Sequence, residues 1–197
     1  MSSQYFAEQP TAEHRPGTVH VVLADTHLAL ATDSAVFSPG RLDPGTRLLL
    51  ETAPTPPAEG DLLDLGTGYG PLALVMASRA PSARVWAIDV NLRALQLCER
   101  NAADARLANV RCRPADSADL PGSYQLIWSN PPIRIGKEAL HQMLKAWLGR
   151  LAPGAAAYLV VQRNLGSDSL QRWLIEAGWQ ADRVAARSGY RVLEVRR

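Results

Sequence analysis

Apolar residues recur along the second two-thirds of the chain in two alternating patterns: short continuous runs, and longer stretches with helical spacing. The short runs, which predict buried strands, are 60–65, 83–88, 110–113, 124–128 and 155–161. The longer stretches, which predict helices, are 71–79, 92–105, 137–151 and 167–177. Alternation of this length predicts a doubly wound α/β fold built on a mostly parallel sheet.

A terminal hairpin extends the predicted sheet. The runs 179–186 and 190–195 flank Ser188-Gly189, a pair typical of the tight turn between two antiparallel strands. Together with the five strands before them, they predict a seven-stranded, Rossmann-like sheet that ends in an antiparallel hairpin.

The N-terminal segment follows a different pattern. Residues 18–23 and 27–32 predict a β-hairpin, and a helix capped by Asp43 follows it. A proline-rich linker comes next. We therefore expect an N-terminal extension over 1–58 that packs on a core over 59–197, the two forming one structural domain.

Composition narrows the class of protein. No apolar run approaches the roughly 20 residues that span a bilayer, and the polar N-terminus lacks the apolar centre of a signal peptide. We therefore expect a cytoplasmic protein, without membrane partners and monomeric. The two cysteines, Cys98 and Cys112, form no CxxC pair and have no histidine cluster near them in sequence, so no metal site is predicted.

Charge is unevenly distributed along the chain. Residues 1–133 carry 10 Lys and Arg against 14 Asp and Glu, whereas residues 134–197 carry 11 against 5. A basic C-terminal third suits a phosphate-rich partner such as RNA. Of the 21 basic residues, 19 are Arg, which is typical of a genome with a biased codon usage. Codon bias is therefore an alternative explanation for the abundance of basic residues, and charge alone does not identify the partner.

A glycine-rich turn joins the first core strand to its helix. Gly66, Gly68 and Gly70 allow the backbone to turn tightly and to approach a ligand with no side chain between. Asp89, at the end of the next strand, is placed to accept hydrogen bonds from two ribose hydroxyls. Ligands of open α/β sheets bind at this end of the strands, so the sequence predicts a nucleoside-cofactor site.

The residues around this turn favour S-adenosylmethionine over a dinucleotide. The glycines are spaced GxGxG, not GxGxxG, and Asp64 precedes them. A carboxylate suits S-adenosylmethionine, which carries an amine and no phosphate; alternatively, Asp64 caps the backbone of the turn. Asp116, with Ser117 beside it, is placed either to accept from the adenine amine or to cap a short helix. Thr67 in the turn and Val90 at the strand end complete the predicted contacts.

The motif Asn130-Pro131-Pro132-Ile133 follows the fourth core strand. The two prolines end the strand, and Pro131 restricts Asn130 to an extended backbone. Such a stiff corner can aim the side-chain oxygen of Asn130, and the backbone carbonyl of Asn130 or Pro131, at one point. Two acceptors that hold a planar NH₂ expose its lone pair and stabilise the developing positive charge. The motif therefore predicts catalysis of methyl transfer to an amine, with Asn130 also bordering the cofactor.

These motifs resemble the methyltransferase small family of class I S-adenosylmethionine-dependent methyltransferases. The segments that carry the resemblance are DLGTGYG, IDVN, NPPI, an N-terminal QYF, FSPGRLDPGTRLLL at 37–50 and GYRVL at 189–193. The resemblance implies methylation of the exocyclic N2 amine of a guanine in ribosomal RNA, or in an assembled ribosomal subunit. It further implies that Phe37, Ser38 and Thr46 border the methionine end of the cofactor.

Two departures from the family pattern leave the substrate open. Family members that act on ribosomal RNA carry a second methyltransferase-like domain, for which we expect no room in this chain. Many enzymes with two prolines here have an aromatic residue next, which stacks on a flipped base. Ile133 offers only apolar contact, so Tyr5, Phe6 or Phe37 would have to supply the ring, while Arg134 could meet phosphate. Methylation of a protein glutamine amide or of a small-molecule amine therefore stays open.

Overall fold

The computed structural model describes residues 13–197; Tyr5 and Phe6, predicted to supply an aromatic ring, lie outside them. A strand pair, β1 (Gly17–Val22) and β2 (His27–Thr32), precedes helix α1 (Pro44–Thr52). The elements that follow are β3 (Asp61–Leu65), α2 (Pro71–Arg79), β4 (Arg84–Asp89), α3 (Leu92–Asp104), β5 (Val110–Pro114), β6 (Tyr124–Ser129), α4 (Lys137–Leu148), β7 (Leu151–Gln162), α5 (Ser167–Glu176), β8 (Gln180–Arg187) and β9 (Tyr190–Arg196).

The central sheet has seven strands in the order β5-β4-β3-β6-β7-β9-β8. Strands β5, β4, β3, β6 and β7 run parallel, and β9 runs antiparallel to both of its neighbours. This confirms the predicted α/β sheet with its C-terminal antiparallel hairpin. The strand order reverses between β3 and β6, and open α/β sheets bind ligands at such a reversal.

Two apolar layers cover the sheet. The first contains fully buried side chains from α1, α2 and the N-terminal hairpin, including Leu49, Leu74 and Leu30. The second is formed by α4 and α5 with the opposite face of the strands, and Leu144 and Leu174 are fully buried in it. Within residues 13–197, no helix is long and apolar enough to cross a membrane.

One buried amide helps to fasten the N-terminal hairpin to the core, in addition to the ion pair of Asp25 with Arg79. Asn101, on α3, donates from Nδ2 to the carbonyl oxygens of Ala31 (2.9 Å) and Tyr69 (2.8 Å). Its Oδ1 accepts from the backbone N–H of Ala31 at 2.7 Å. A single side chain therefore joins β2, α3 and the glycine-rich turn, and positions the segment after β2 beside that turn.

The boundary between α4 and β7 differs from the prediction. The sequence pattern predicts a helix through residue 151 and a strand from 155, but α4 ends at Leu148 and β7 already begins at Leu151. The backbone N–H of Tyr124 donates to the carbonyl of Arg150 at 2.8 Å, which draws this segment into the sheet. Sheet pairing thus prevails over the helical spacing of the last apolar residues.

Candidate active site

A cavity of about 680 Å³ opens beyond the carboxyl ends of β3, β4 and β6. Small-molecule sites commonly measure roughly 300–1,000 Å³. Because β3 and β6 are paired neighbours, with Leu65 opposite Ser129, the glycine-rich turn and the Asn-Pro-Pro corner emerge side by side. The predicted site residues that line the cavity are Phe37, Ser38, Thr46, Gly66, Thr67, Gly68, Asp89, Val90, Asn130, Pro131, Pro132 and Ile133.

The glycine-rich turn presents bare backbone to this cavity. Gly66 and Gly68 have positive φ angles of 79° and 56°, and a Cβ added at either would meet nothing within 4 Å. The backbone N–H groups of Gly66 and Thr67 both donate to the carbonyl of Ile88, at 2.8 and 2.9 Å. The turn is thereby folded over the end of β4, and open space remains above its backbone for a ligand.

The carboxylate of Asp89 stands at the edge of the turn. Its Oδ2 accepts from the backbone N–H of Gly68, and its Oδ1 from that of Asn91, each at 2.9 Å. Burial raises the pKa of Asp89, and these backbone donors counteract part of the rise. A carboxylate can accept about four hydrogen bonds, so Asp89 retains acceptor capacity toward the cavity that a ribose diol would use.

Asp64 and Gly70 lie behind the turn, not on the cavity wall. Asp64 is fully buried, and its Oδ2 accepts from the Thr67 hydroxyl (2.7 Å) and the Ala73 N–H (2.9 Å). Burial raises the pKa of Asp64 to about 7. A Cβ at Gly70, where φ is +99°, would lie 2.6 Å from a methyl group of Leu74. Both residues therefore help to fold the turn and do not line the cavity, and their contact with the cofactor stays a prediction.

Asp116 and Ser117 lie in the turn that follows β5. The cavity is lined by Ala115, immediately before them, while the side chain of Asp116 is exposed. The backbone N–H of Ser117 donates to the carbonyl of Pro114 at 3.2 Å, which closes a turn and not the short helix considered above. Their contact with adenine stays a prediction.

Asn130 is held by the start of α1. Its Nδ2 donates to Oδ2 of Asp43 at 2.9 Å and to Oγ1 of Thr46 at 3.0 Å. Among residues 13–197, no donor to its Oδ1 is found. The side-chain oxygen of Asn130 is therefore the atom left to accept a hydrogen bond from a molecule in the cavity.

The corner after Asn130 is stiffened by its own backbone. The N–H of Ile133 donates to the carbonyl of Pro131 at 2.8 Å, and that of Ile135 to the carbonyl of Pro132 at 3.1 Å. The first bond closes an inverse γ-turn centred on Pro132, where φ is −75° and ψ is 74°, and the second belongs to the 3₁₀ turn at Ile133–Ile135. The corner is thus fixed at both ends, by strand β6 and by this turn.

Two contributors to the site were missed in the sequence analysis. Asp43 was expected only to cap α1, which it does by accepting from the Thr46 N–H at 2.8 Å, but the same oxygen also holds Asn130. Tyr190 was expected only in the terminal hairpin, yet its ring lines the cavity, and a Cβ at Gly45 would lie 2.6 Å from it. Burial, and next the charge of Asp43, raise the pKa of Tyr190. The segments LDPGT and GYRVL were the available signals.

The cavity fits S-adenosylmethionine on three structural grounds. It has the volume of a small-molecule site, it offers bare glycine backbone, and it places a carboxylate where a ribose would bind. Beside this pocket stands an amide oxygen with no partner in the described chain. The arrangement can therefore seat a nucleoside cofactor next to a group that accepts a hydrogen bond from a second substrate.

Comparison with known proteins identifies a methyltransferase family and relatives named as methyltransferases. The family model "Methyltransferase small domain" matches residues 27–194. The chain is 31% identical over 200 residues to the uncharacterized protein YbxB of Bacillus subtilis, covering the full length of both. It is 42% identical over 101 residues to ribosomal RNA small subunit methyltransferase C of Actinobacillus succinogenes, covering 51% of this chain and 30% of that protein.

Solved structures show the same fold. The 16S rRNA N2 G1207 methyltransferase RsmC of T. thermophilus, in complex with AdoMet and guanosine, aligns with a TM-score of 0.75 and 23% identity. The alignment covers 92% of this chain and 50% of that one. Family match, sheet order and cavity together show that the chain belongs to the methyltransferase small domain family and is an S-adenosylmethionine-dependent methyltransferase.

Proposed function

We propose that the protein methylates the exocyclic N2 amine of a guanine in ribosomal RNA. One observation carries the proposal: both acceptors around the Asn130 amide face its nitrogen, so its oxygen is left for the cavity. An amide oxygen that points into a methyltransferase cavity suits a substrate that donates a hydrogen bond, as an NH₂ group does.

The cofactor side of the site is assigned to the turn and to Asp89. S-adenosylmethionine, when bound, supplies an electrophilic methyl group on a sulfonium. The backbone of Gly66 and Gly68 leaves room for it, and Asp89 accepts hydrogen bonds from the ribose hydroxyls. Because Asp89 is itself held by two backbone donors, its oxygens are already oriented before a ligand arrives.

The Asn-Pro-Pro corner acts on the target amine. An aromatic NH₂ is a poor nucleophile because its lone pair is delocalised into the ring. Asn130 accepts one of its hydrogens through Oδ1, and the backbone carbonyl of Asn130 or of Pro131 accepts the other; the Pro131 carbonyl, which already accepts from Ile133, keeps a second lone pair for it. Holding both hydrogens favours a pyramidal nitrogen, exposes the lone pair and stabilises the positive charge that would develop on it as the N–C bond forms and the bond between the methyl group and the sulfonium sulfur breaks, leaving a neutral thioether.

No general base is needed to complete this reaction. The nitrogen that has gained the methyl group is a strong acid, because losing a proton restores conjugation with the ring. Water entering from the mouth of the cavity takes that proton. The residues of the corner therefore position the amine and stabilise its charge, and remain unchanged themselves.

Two findings support RNA as the substrate. Several relatives are named ribosomal RNA small subunit methyltransferase C, although this chain covers only 30–46% of their lengths. Within the described chain, Arg134 lines the cavity and has no acidic partner, so its charge is available to phosphate. By contrast, Arg183, Arg187 and Arg191 are engaged in ion pairs, so the basic C-terminal third contributes less free charge than its composition indicates.

The experiment is a substrate survey. The protein is incubated with methyl-radiolabelled S-adenosylmethionine and, separately, with ribosomal RNA, ribosomal subunits, transfer RNA and total cell protein from a strain that lacks the enzyme. We expect label in ribosomal RNA or in a subunit, and digestion to nucleosides should place it in N2-methylguanosine. Label that enters only protein, or only a small molecule, would refute the RNA assignment.

Asn130→Ala is the matched control for this survey. Loss of a preorganised group that stabilises developing charge costs roughly 100- to 1,000-fold in kcat. Asn130 binds the target amine in this scheme, so cofactor affinity measured by calorimetry should stay within a few-fold of wild type. A variant that loses cofactor binding instead would contradict this division of roles.

A further inference from the structure

We propose that Asp43 and Thr46 are positioning residues that fix the Asn130 amide in one of its two orientations. The inference rests on the proposed function, in which the Asn130 oxygen receives the target amine. It assigns to the start of α1 a part in the reaction itself, beyond the packing of a helix.

The two hydrogens of the Asn130 amide account for the two contacts. Oδ2 of Asp43 lies 2.9 Å from Nδ2, and Oγ1 of Thr46 lies 3.0 Å from it. A side-chain amide has two N–H donors and one carbonyl oxygen. With both donors occupied on the α1 side, the oxygen faces the other way.

The reversed orientation is strongly disfavoured. It would place Oδ1 of Asn130 against a carboxylate oxygen of Asp43, where both groups are acceptors and no hydrogen is available between them. Asp43 is only 8% exposed, so water cannot readily relieve this repulsion. The reversed amide would also present its NH₂ to the substrate NH₂, donor against donor, and the target would be rejected.

The charge of Asp43 adds an electronic effect. A carboxylate that accepts from an amide N–H polarises that amide, which increases the negative charge on its oxygen. The oxygen of Asn130 therefore becomes a stronger acceptor as positive charge develops on the target nitrogen. Asp43 acts through Asn130 and needs no contact with the substrate.

The start of α1 is built to hold these two acceptors in place. Pro44 occupies the first turn of the helix, and Asp43 caps it through the Thr46 N–H at 2.8 Å. The ring of Tyr190 packs so closely on Gly45 that a Cβ there would lie 2.6 Å from it. The helix end is thus fixed against the terminal hairpin, and the acceptor pair is fixed with it.

Two matched pairs of variants separate this role from helix capping. Asp43→Asn and Asp43→Ser both retain a good N-cap residue, but only Asn keeps an oxygen long enough to reach Asn130. Thr46→Ser keeps the hydroxyl, whereas Thr46→Val replaces it with a methyl group of similar size. In each pair, one variant keeps the hydrogen bond to Asn130 and the other loses it, while the cap of α1 is retained in both.

The first readout is steady-state kinetics on the substrate found in the survey above. Asp43→Ser and Thr46→Val should each lower kcat about tenfold or more, the effect of one lost hydrogen bond that orders a reacting group. Thr46→Ser should retain most of the activity. Asp43→Asn, which keeps the orienting oxygen but loses the charge, should retain more activity than Asp43→Ser and less than wild type, and cofactor affinity should change little in both Asp43 variants. In an Asn130→Ala background, Asp43→Ser and Thr46→Val should cause no further loss, because there is no amide left to orient.

The second readout needs no substrate. In a ¹⁵N-labelled sample, the side-chain NH₂ of Asn130 is assigned from the cross-peaks that vanish in Asn130→Ala. Thr46→Val and Asp43→Ser should each change the chemical shifts of these two cross-peaks and speed the hydrogen exchange of the NH₂ group. Thr46→Ser should leave the chemical shifts close to those of the wild type.

The outcomes distinguish this inference from the proposed function. Wild-type kcat in both Asp43→Ser and Thr46→Val, or equal losses with and without Asn130, would overturn the positioning role. An amide resonance that neither variant shifts would do the same. Absence of any methylated RNA in the survey would refute the proposed function alone, because the resonance experiment still reports which way the amide is held.

Discussion

Asp64→Asn tests a carboxylate that is buried completely behind the glycine-rich turn. Burial raises the pKa of Asp64 from an ordinary 3.8 to about 7, despite two hydrogen-bond donors to its Oδ2. The folded protein therefore holds a proton that the unfolded chain releases. Asn has the same shape, keeps an acceptor for Thr67 and Ala73, and cannot ionise.

The sign and size of the effect follow from proton linkage. Because the pKa is higher in the folded state, stability from this group is complete below about pH 4 and is lost as the pH rises toward 7. The shift corresponds to about 1.4 kcal/mol for each pH unit, or at most about 4 kcal/mol in total. Above pH 7 the loss is complete and the contribution becomes constant.

Urea denaturation of wild type and Asp64→Asn between pH 4.5 and 8 measures this difference. We expect the unfolding free energy of wild type, relative to the variant, to fall across this range and to level off near pH 8. Asp89 and all other titrating groups are present in both proteins, so the difference reports the ionisation of Asp64 together with its electrostatic coupling to Asp89. Asp25→Asn is the control: its ion pair with Arg79 lowers the pKa of Asp25, so its removal should leave the slope above pH 4.5 unchanged. Parallel curves for wild type and Asp64→Asn would refute the buried-charge reasoning.

Three further predictions address the turn, the cofactor and the RNA. Asp89→Ala should weaken S-adenosylmethionine binding about tenfold or more, since hydrogen bonds to a charged group contribute about 1.5–3 kcal/mol; calorimetry giving an unchanged Kd would argue against the ribose assignment. Gly70→Ala should destabilise the protein by about 1–3 kcal/mol in urea, through a positive φ and a close contact. Gly122→Ala, which meets nothing within 4 Å, is its control, and equal stability of the two variants would contradict the argument. Arg134→Glu should weaken RNA binding and reduce its dependence on salt, while cofactor affinity stays unchanged. Arg172→Glu, on the exposed surface of α5 outside the cavity, is the control and should leave RNA binding unchanged. Similar losses of RNA binding by the two variants in a filter-binding assay would exclude a specific phosphate contact of Arg134.

Much of the fold was predictable from the local spacing of apolar residues along the chain. Strands β3, β4 and β6 are buried on both faces, so their inner residues are apolar apart from Asp64, and Gly66, Asp89 and Asn130 lie at their carboxyl ends. The end of α4 was predicted wrongly, because Leu148 and Leu151 both fit helical spacing while the pairing of Leu151 with Tyr124 depends on a strand remote in sequence. Local spacing cannot register such a partner.

The residues of the candidate site were likewise only partly predictable from the local sequence. Gly66, Gly68, Asp89 and Asn130 follow directly from motif and strand end, because residues at the carboxyl ends of neighbouring parallel strands must converge. Asp64 belongs to the same motif, but whether its side chain faced the ligand or the core depended on the packing of α2 above it.

The sequence by itself determined the alternation of strands and helices, the bare glycine turn and the stiff Asn-Pro-Pro corner, since each depends on neighbours within a few residues. Only the tertiary structure decided which atom of Asn130 faces the cavity. That choice depends on Asp43 and Thr46, 87 and 84 residues earlier in the chain, and hydrogen-bond direction is settled only when donors and acceptors meet in space.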